Sequence, residues 1–294
     1  MDKIKLRIPV PEHVQALICQ EYVDGASRKQ IAQSWEVSVR QIRNILYNHN
    51  LGIHPENGCY LNEYTSLKGS NDDANGRSNG NVLIIPDLHA PFVRDGYLEF
   101  CEKMYKKWEC TEVYFLGDLI DNHYSSFHDT DPDGLSATDE LDKAIKQLDK
   151  FNNVFPIARV VFGNHDNIPN RKAFNAGIST HWIKRIDEVL NFPGWKFKDV
   201  WWHNDDIMIC HGLGRVAHNR MKQDMVSVIQ GHYHSKSYIQ YQVGTDRKTF
   251  AMQLGCGMDN NNYAAAYGKW FTRPHINVGI LLKGKTPLIE YMDL

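Results

Sequence analysis

The sequence predicts an α/β protein in which two β-sheets pack as a sandwich, preceded by a small all-α N-terminal domain. Short β-rich runs alternate with helical patterns between residues 82 and 162, and later apolar runs follow one another without long helices between all of them. A polar, glycine-containing stretch separates this region from an N-terminal segment with helical spacing. We therefore expect a helical domain over residues 1–53, a flexible linker over 54–81 and a large domain over 82–294.

The composition is that of an ordinary folded protein. The 294 residues are 42% hydrophobic and 23% charged, with a formal net charge of -2, so the chain can bury a substantial core. No apolar run approaches the roughly 18 to 20 residues that span a bilayer, and the start of the chain lacks the apolar stretch of a secretory signal. The six cysteines are scattered and form no CxxC pair. We expect a cytoplasmic protein with reduced thiols and no membrane partner.

The first 53 residues predict a compact helical unit. Apolar residues Val14, Leu17, Ile18 and Tyr22 recur at helical spacing, and the pattern stops at Asp24. Capping-box sequences begin at residues 27 and 38, on either side of a short turn. This arrangement resembles the helix-turn-helix family of DNA-binding motifs.

The same segment carries the candidate nucleic-acid contacts. Residues 1–53 hold seven Lys or Arg against five Asp or Glu, which is a local net charge of +2. The resemblance implies that side chains of the two helices contact phosphates and base edges. The alternative is a solvated helical bundle used for packing or self-association. We favour nucleic-acid contact, because two capping boxes flank a turn of the right length. The candidate residues are Arg28, Lys29, Arg40, Gln41, Arg43 and Asn44.

Metal-type ligands follow the predicted strands in order. The runs 82–85, 113–116 and 158–162 are followed by DLH, GDLID and GNHD, and two later apolar runs lead into CHG and GHYH. Alternate residues of an extended chain share a face, so the spacing in DxH and HxH places both side chains on one side. Oxygen and imidazole donors together suit Mn, Fe, Zn or Co better than an all-oxygen calcium site. One such motif is weak support for a metal site, but five in order are specific.

The ordered set DxH, GDxxD, GNHD, H and GHxH resembles the calcineurin-like metallophosphoesterase superfamily over residues 82–285. The resemblance implies a four-layer α/β/β/α sandwich that binds two divalent metal ions, Mn2+ first, with Fe, Zn, Co and Ni as alternatives. It also implies hydrolysis of phosphate esters by a metal-bridging hydroxide. In this scheme Asp118 bridges the two metals, of which one is held by Asp87, His89 and His234 and the other by Asn164, His211 and His232.

The resemblance also suggests roles for residues around the metals. His165 would hydrogen-bond the phosphate and protonate the leaving oxygen, and Asp166 would orient it. Asp121 has two interpretations, a loop-capping residue or a carboxylate that supports a metal ligand. Arg171 and Lys172 are candidate phosphate contacts, with a solvated charge pair near a helix start as the alternative.

Histidines and tryptophans outside these motifs receive structural interpretations. We expect His123 and His128 to be surface residues rather than substrate contacts. Trp195, Trp201 and Trp202 could stack a nucleobase, but aromatic clusters belong more often to a core, and we expect that here.

Departures from the motifs of the protein phosphatases narrow the range of expected substrates. Those enzymes resemble one another in DxHG, GDxVDRG and GNHE, whereas this chain has Ala90, Asn122 and Asp166 at the corresponding places. The arginine of their second motif is missing, so it cannot recognise phosphate here. GNHD is more often found in the nuclease and phosphodiesterase branches. Residues 117–151 also look similar to phosphoesterases encoded by bacteriophages, for which the location would be the host cytoplasm.

We therefore expect a dinuclear metal phosphoesterase that acts on nucleic acid, DNA foremost, as a nuclease, phosphodiesterase or DNA phosphatase delivered by the helix-turn-helix. The alternative is a small-nucleotide phosphatase or phosphodiesterase, or a protein phosphatase, whose N-terminal helices serve assembly. A binding module with a degenerate catalytic domain is disfavoured, because every ligand position holds a competent residue. The sequence leaves the oligomeric state open.

Overall fold

The computed structural model describes residues 12–23, 28–35, 37, 42, 45–46, 78–127, 131–212, 214–259 and 273–293. The chain divides into two units, residues 1–74 and 75–294. Within the described ranges, no helix combines the length and the apolar character that crossing a bilayer requires.

The N-terminal unit has its own small apolar core. Its described helices are α1 (Glu12–Val23) and α2 (Arg28–Ser34), and α1 ends where the sequence predicts, just before Asp24. Ile18 and Ile31 are fully buried and cluster with Ile42 and Leu46, which are also helical. Leu17 departs from the predicted apolar face, because it is 52% exposed.

Most of the predicted nucleic-acid contacts fall outside this description. Arg40, Gln41, Arg43 and Asn44 lie outside the described residues. Arg28 and Lys29 belong to α2, of which the backbone alone is described at these two positions.

The larger unit is built from strands and short helices. The strands are β1 (Asn81–Ile85), β2 (Cys110–Phe115), β3 (Ala158–Val161), β4 (Trp195–Lys198), β5 (Val200–His203), β6 (Ile207–Cys210), β7 (Ser227–Gln230), β8 (Tyr238–Val243), β9 (Lys248–Gln253), β10 (Asn277–Leu282) and β11 (Thr286–Tyr291). The helices are α3 (Tyr97–Lys107), α4 (Ala137–Val154), α5 (Ile168–Asn175), α6 (Ile186–Leu190) and α7 (Ala217–Asp224), with 3-10 turns at His123–Ser125 and Thr180–Trp182.

The strands form two mixed sheets. The first has six strands in the order β11-β10-β1-β2-β3-β4, and the second has five in the order β5-β6-β7-β9-β8. Strands β1 to β4 run parallel in the first sheet, as do β6, β7 and β9 in the second. Parallel strands are buried on both faces, which explains why β1 and β6 are almost continuous apolar runs and why all four residues of β7 are buried.

The two sheets pack face to face over a shared apolar core. Ile84 and Leu116 from the first sheet meet Ile209, Ile229 and Met252 from the second in one buried cluster. Trp201 joins this cluster and is 8% exposed, while Trp195 is 5% exposed on the other face of the first sheet. The core interpretation of these two tryptophans is confirmed, and Trp202 is half-buried.

Helices cover the outer faces of the sandwich. Alternate residues of β1 and β2, such as Leu83 and Phe115, face a cluster that includes Cys101 of α3 and Leu148 of α4. Helix α4 begins at Ser136, whose side chain accepts a hydrogen bond from the Asp139 N–H and so satisfies one free donor of the first turn. Helix α7 packs on β7 and β9 of the second sheet. The predicted mixed α/β fold with two sheets and flanking helices is confirmed.

The larger unit begins before its first strand. The Ser78 N–H donates to Asn204 Oδ1 over 2.7 Å, and Asn204 Nδ2 donates back to the Ser78 carbonyl over 2.9 Å. The last residues of the predicted linker over 54–81 are therefore fixed to the larger unit, and residues 54–77 lie outside the described ranges.

Candidate metal centre

The candidate ligands lie at one edge of the sandwich because the strands that carry them are parallel. Asp87, Asp118 and Asn164 follow β1, β2 and β3, which run in the same direction. His211 and His232 follow β6 and β7 of the second sheet, which are also parallel. The carboxyl ends of the strands in each sheet thus meet, and the two sets of ligands face each other across the sandwich.

The first group of ligands consists of Asp87, His89 and His234. Their candidate ligand atoms all lie within 4.8 Å of one another. His234 Nε2 is 3.2 Å from Asp87 Oδ2 and also 3.2 Å from His89 Nε2. Two imidazole nitrogens at this distance need a proton or a cation between them, since two facing lone pairs repel each other.

The second group consists of Asp118, His211 and His232, whose ligand atoms also lie within 4.8 Å of one another. Asn164 joins them, because its Oδ1 is 2.9 Å from His211 Nε2. The structure therefore brings together the residues that were predicted to hold the second metal.

Asp118 lies between the two groups. Its Oδ2 is 3.2 Å from His211 Nε2 in the second group and 3.8 Å from His89 Nε2 in the first. A carboxylate in this position can contact cations on both sides, as the resemblance implies for Asp118.

The backbone is shaped to bring the ligands close. His89, Asp118 and His232 have positive φ angles of 51°, 45° and 71°, a region that side-chain-bearing residues seldom adopt and that clusters at functional sites. Gly231 lies against the Asp87 side chain so closely that a Cβ there would overlap with Asp87 Oδ1. Glycine is needed at this position because the chain passes directly over a ligand.

Hydrogen bonds orient the imidazole rings. The His89 Nδ1–H donates to Asp121 Oδ1 over 2.7 Å, and the His211 Nδ1–H donates to the Leu116 carbonyl over 2.8 Å. Each bond occupies Nδ1 and turns Nε2 towards the other candidate ligands, which is the orientation that metal binding through Nε2 requires. The two interpretations of Asp121 are thereby resolved, since its carboxylate supports a ligand rather than capping the loop.

The carboxylates make this edge favourable for positive charge. Burial alone would lower the pKa of His211, but the Asp118 and Asp87 carboxylates raise it to about 9. Burial alone would raise the pKa of Asp118, but the nearby His211 and His165 hold it well below its usual value. Burial and the proximity of His211 lower the pKa of His232 to about 4, so that ring is neutral and able to act as a ligand at neutral pH.

His165 lies beside the first group, and its candidate ligand atom is within 4.8 Å of those of His89 and Asp121 in a third candidate set. Its ring packs edge-on against the His89 ring at a centroid distance of 4.7 Å. Its Nδ1–H donates to the Asp121 carbonyl over 2.5 Å, so this contact uses Nδ1 and not Nε2. Burial lowers the pKa of His165, but the Asp118 and Asp121 carboxylates outweigh this effect and raise it above the ordinary value.

The predicted role of Asp166 needs correction. Its Oδ1 accepts hydrogen bonds from the Leu119 and Ile120 N–H groups, and its Oδ2 accepts one from the Gly163 N–H. The neighbouring His165 is instead oriented by the Asp121 carbonyl. Asp166 thus holds two ligand-bearing loops together, and burial and the Asp118 charge raise its pKa to about 7.

Arg171 and Lys172, the predicted phosphate contacts, do not belong to the groups of candidate metal ligands. Arg171 and Lys172 are on α5, with Arg171 Cζ 4.6 Å and Lys172 Nζ 5.5 Å from the centroid of the Phe127 ring.

His123 is 5% exposed and its Nε2 accepts a hydrogen bond from the Asp131 N–H, so the surface interpretation of this histidine is wrong. His128 lies outside the described residues.

Sequence reasoning missed two buried polar residues that support the loops of the site. Glu140 of α4 is 4% exposed and accepts hydrogen bonds from the N–H groups of His123 and Tyr124, in the loop that follows Asp121. Gln253 of β9 is fully buried, and its Nε2 donates to the Gly231 carbonyl over 2.5 Å. Both contacts involve the backbone of a distant loop, which no local motif reveals.

The chain aligns with several solved structures, each at low sequence identity. A single mutant of Vps29 from Entamoeba histolytica is 12% identical to this chain, covers 73% of this chain and 99% of its own, and gives a TM-score of 0.34. The phosphoesterase YfcE from E. coli is 15% identical, with 72% and 100% of the two chains covered and a TM-score of 0.34. Vps29 from Cryptosporidium parvum is 12% identical, with coverage of 74% and 100% and a TM-score of 0.34.

The family is shown by the sequence itself. No curated protein matches this chain. The family model described as calcineurin-like phosphoesterase matches residues 80–254, a range that contains every ligand of both groups. The chain therefore belongs to the calcineurin-like phosphoesterases and is a metal-dependent phosphoesterase.

Proposed function

We propose that this phosphoesterase holds two divalent cations, Mn2+ foremost, and hydrolyses phosphodiester bonds in nucleic acid. The observation that carries the proposal is the convergence of two ligand groups on one shared carboxylate, Asp118. Two metals that share a ligand are the arrangement with which enzymes act on phosphate esters.

The residues of the edge fit such a pair of cations. Asp87 is fully buried, and among the described residues its Oδ1 has no hydrogen-bond partner. A buried charged oxygen without a partner is costly, and a metal ion would satisfy it. The donor set combines carboxylate and amide oxygens with imidazole nitrogens, which suits Mn2+ and related first-row metals.

The protein side chains supply orientation and proton transfer. When bound, the cations would polarise the phosphoryl oxygens, lower the pKa of water and neutralise charge in the transition state. Asp121 holds the His89 ring, and its carbonyl fixes the tautomer of His165. His165 Nε2 is then positioned to hydrogen-bond the phosphate and to give a proton to the leaving oxygen.

The nucleic-acid substrate is inferred from the second and third motifs and from the N-terminal unit. Asn122 stands where the protein phosphatases have arginine, and its Nδ2 donates to the His165 carbonyl over 2.8 Å. This residue therefore supports the loop of His165 instead of binding phosphate. The helix-turn-helix resemblance of residues 1–53 supports delivery to DNA, since tethering raises the effective concentration of the bond to be cleaved.

A substrate screen of the Mn2+-loaded full chain tests this proposal. We expect bis(p-nitrophenyl) phosphate to be cleaved faster than p-nitrophenyl phosphate, and DNA oligonucleotides to be cleaved in preference to cyclic nucleotides. Preference for the monoester, or turnover confined to small nucleotides, would favour a phosphatase or a small-nucleotide phosphodiesterase instead.

Full-length charge variants test delivery by the N-terminal unit. Replacing Arg40 and Arg43 by Gln is expected to lower the rate on DNA relative to the rate on bis(p-nitrophenyl) phosphate, because phosphate contacts are lost. An equal change on both substrates would count against delivery and would favour an assembly role for these helices.

A further inference from the structure

The segment that follows the third metal motif has an unusual charge. Residues 167–185 contain four Lys or Arg and no Asp or Glu, whereas the whole chain has a net charge of -2. The four cations are Arg171, Lys172, Lys184 and Arg185, and Arg185 is engaged by Asp187 over 3.1 Å. The other three have no ion pair with a described residue and are available to a polyanion.

The same segment exposes large apolar side chains. Trp182 is 84% exposed, Phe174 is 70% exposed and Ile178 is 49% exposed. The chain folds back after α5, because the Ile178 N–H donates to the Ala173 carbonyl over 2.8 Å. The 3-10 turn that carries Trp182 also lies against α5, so the chain segments that carry these three side chains are adjacent.

Phe127 and Tyr124 extend this region from a second loop. Phe127 is 49% exposed and Tyr124 is 57% exposed. The Arg171 guanidinium lies over the Phe127 ring at 4.6 Å, which links this loop to α5 through a cation–π contact. We call the surface formed by Tyr124, Phe127, Phe174, Ile178 and Trp182 the aromatic platform.

Both parts of the aromatic platform begin at the metal centre. Helix α5 starts three residues after His165, and the Ile168 N–H donates to the His165 carbonyl over 3.1 Å. Tyr124 and Phe127 follow Asp121 in the loop that orients His89 and His165. A chain bound at the metals would therefore have this surface beside it.

We propose that the aromatic platform binds single-stranded nucleic acid and holds it for cleavage at the metal centre. Bases stack on the exposed rings, and the phosphates contact Arg171, Lys172 and Lys184. This combination of aromatic side chains and cations is the one that single-strand-binding grooves use, because every base has a face that can stack. Bases in a duplex are already stacked on each other, so the platform discriminates against double strands. The inference rests on the proposed function, of which it specifies the substrate.

Two measurements on full-length variants test the proposal. The first is equilibrium binding of a fluorescent single-stranded oligonucleotide, followed by anisotropy, and the second is kcat/KM for that oligonucleotide divided by kcat/KM for bis(p-nitrophenyl) phosphate. The variants are Phe174→Ala, Trp182→Ala and the double variant. Ile157→Ala is the matched control, since Ile157 is 79% exposed and precedes β3 at the opposite end of that strand from the metal ligands.

Loss of one stacked base corresponds to about a 5- to 150-fold weaker binding. We expect each single variant to lose affinity and to lower the kcat/KM ratio by a factor in this range, the double variant to lose more, and the control to match the wild type. Wild-type affinity in the double variant would overturn the proposal. So would an oligomer that dissociates in Trp182→Ala with unchanged oligonucleotide binding, because the surface would then be an interface between copies.

The failures of the two proposals are distinguishable. If the wild type cleaves oligonucleotides and the variants do so equally well, the platform is refuted and the proposed function stands. If the wild type cleaves no nucleic acid but the variants lose binding, the platform is a binding surface, and its role in cleavage falls together with the proposed function. If neither cleavage nor a difference in binding is found, both fall.

Discussion

The support that Asp121 gives to His89 leads to a quantitative prediction. The Asp121 carboxylate is 5% exposed and accepts the His89 Nδ1–H over 2.7 Å. A hydrogen bond to a charged group contributes about 1.5–3 kcal/mol, which corresponds to about 10- to 150-fold in an equilibrium constant. Loss of such a supporting partner typically costs about 10- to 100-fold in metal affinity or activity, so the two scales agree.

Two substitutions of Asp121 separate the effect of its charge from the effect of its hydrogen-bond acceptor. Asp121→Asn keeps an oxygen that can accept from the His89 ring but loses the charge, so we expect about a 10-fold loss of Mn2+ affinity. Asp121→Ala loses the acceptor as well, and we expect about a 100-fold loss. Isothermal titration with Mn2+ measures the affinity, and hydrolysis of bis(p-nitrophenyl) phosphate at saturating Mn2+ measures what remains of kcat. Asp133→Asn is the matched control, because Asp133 is exposed and belongs to none of the groups of candidate ligands.

The Mn2+ affinity of Asp121→Ala is the critical result. If Asp121→Ala binds Mn2+ as tightly as the wild type, with its unfolding transition unchanged, the carboxylate does not act through His89 and the reasoning is wrong. A loss of affinity in Asp133→Asn would show instead that general charge, rather than the hydrogen bond, sets the affinity.

Three further predictions concern the supports of the site and the core. Glu140→Ala removes the acceptor of two backbone N–H groups, so we expect kcat to fall about 10-fold at saturating Mn2+. Glu140→Gln keeps an acceptor oxygen and should recover part of this loss. Equal kcat in the wild type and both variants would contradict this prediction. Gly231→Ala places a Cβ against the Asp87 carboxylate, so activity should fall about 100-fold, while Gly244→Ala, whose Cβ would meet the Arg247 carbonyl oxygen at an ordinary 3.6 Å, keeps wild-type kcat. Ile84→Ala, at a fully buried position between the sheets, should lower the free energy of unfolding in urea by about 2–5 kcal/mol, and a change under 1 kcal/mol would exclude the assigned packing.

The strands that carry the ligands could be predicted from the sequence because they are apolar on both faces. Strands β3, β6 and β7 fall within predicted runs, whereas β1 and β2 overlap their predicted runs but begin one and three residues earlier. Each of the five ends next to a metal-type motif. Strands β4, β5, β8 and β11 were not predicted. Strand β8 is exposed along much of its length, and β11 is mostly half-buried with exposed ends, so neither shows a continuous apolar run.

The roles of residues next to the ligands were harder to predict than the ligands themselves. Asp166 follows His165 in sequence, but its carboxylate accepts from the backbone at residues 119, 120 and 163. Glu140 and Gln253 act on loops that are distant in the chain. Such contacts depend on how the loops pack, whereas the ligand motifs depend on local spacing and on the direction of the strands.

The central claim is that two cations share Asp118 at this edge of the sandwich. Crystals of the full chain grown with Mn2+, measured on both sides of the manganese absorption edge, test it directly. The account predicts two anomalous peaks per chain, one against Asp87, His89 and His234 and the other against Asn164, His211 and His232, with Asp118 in contact with both. A single peak, or peaks away from these residues, would contradict it.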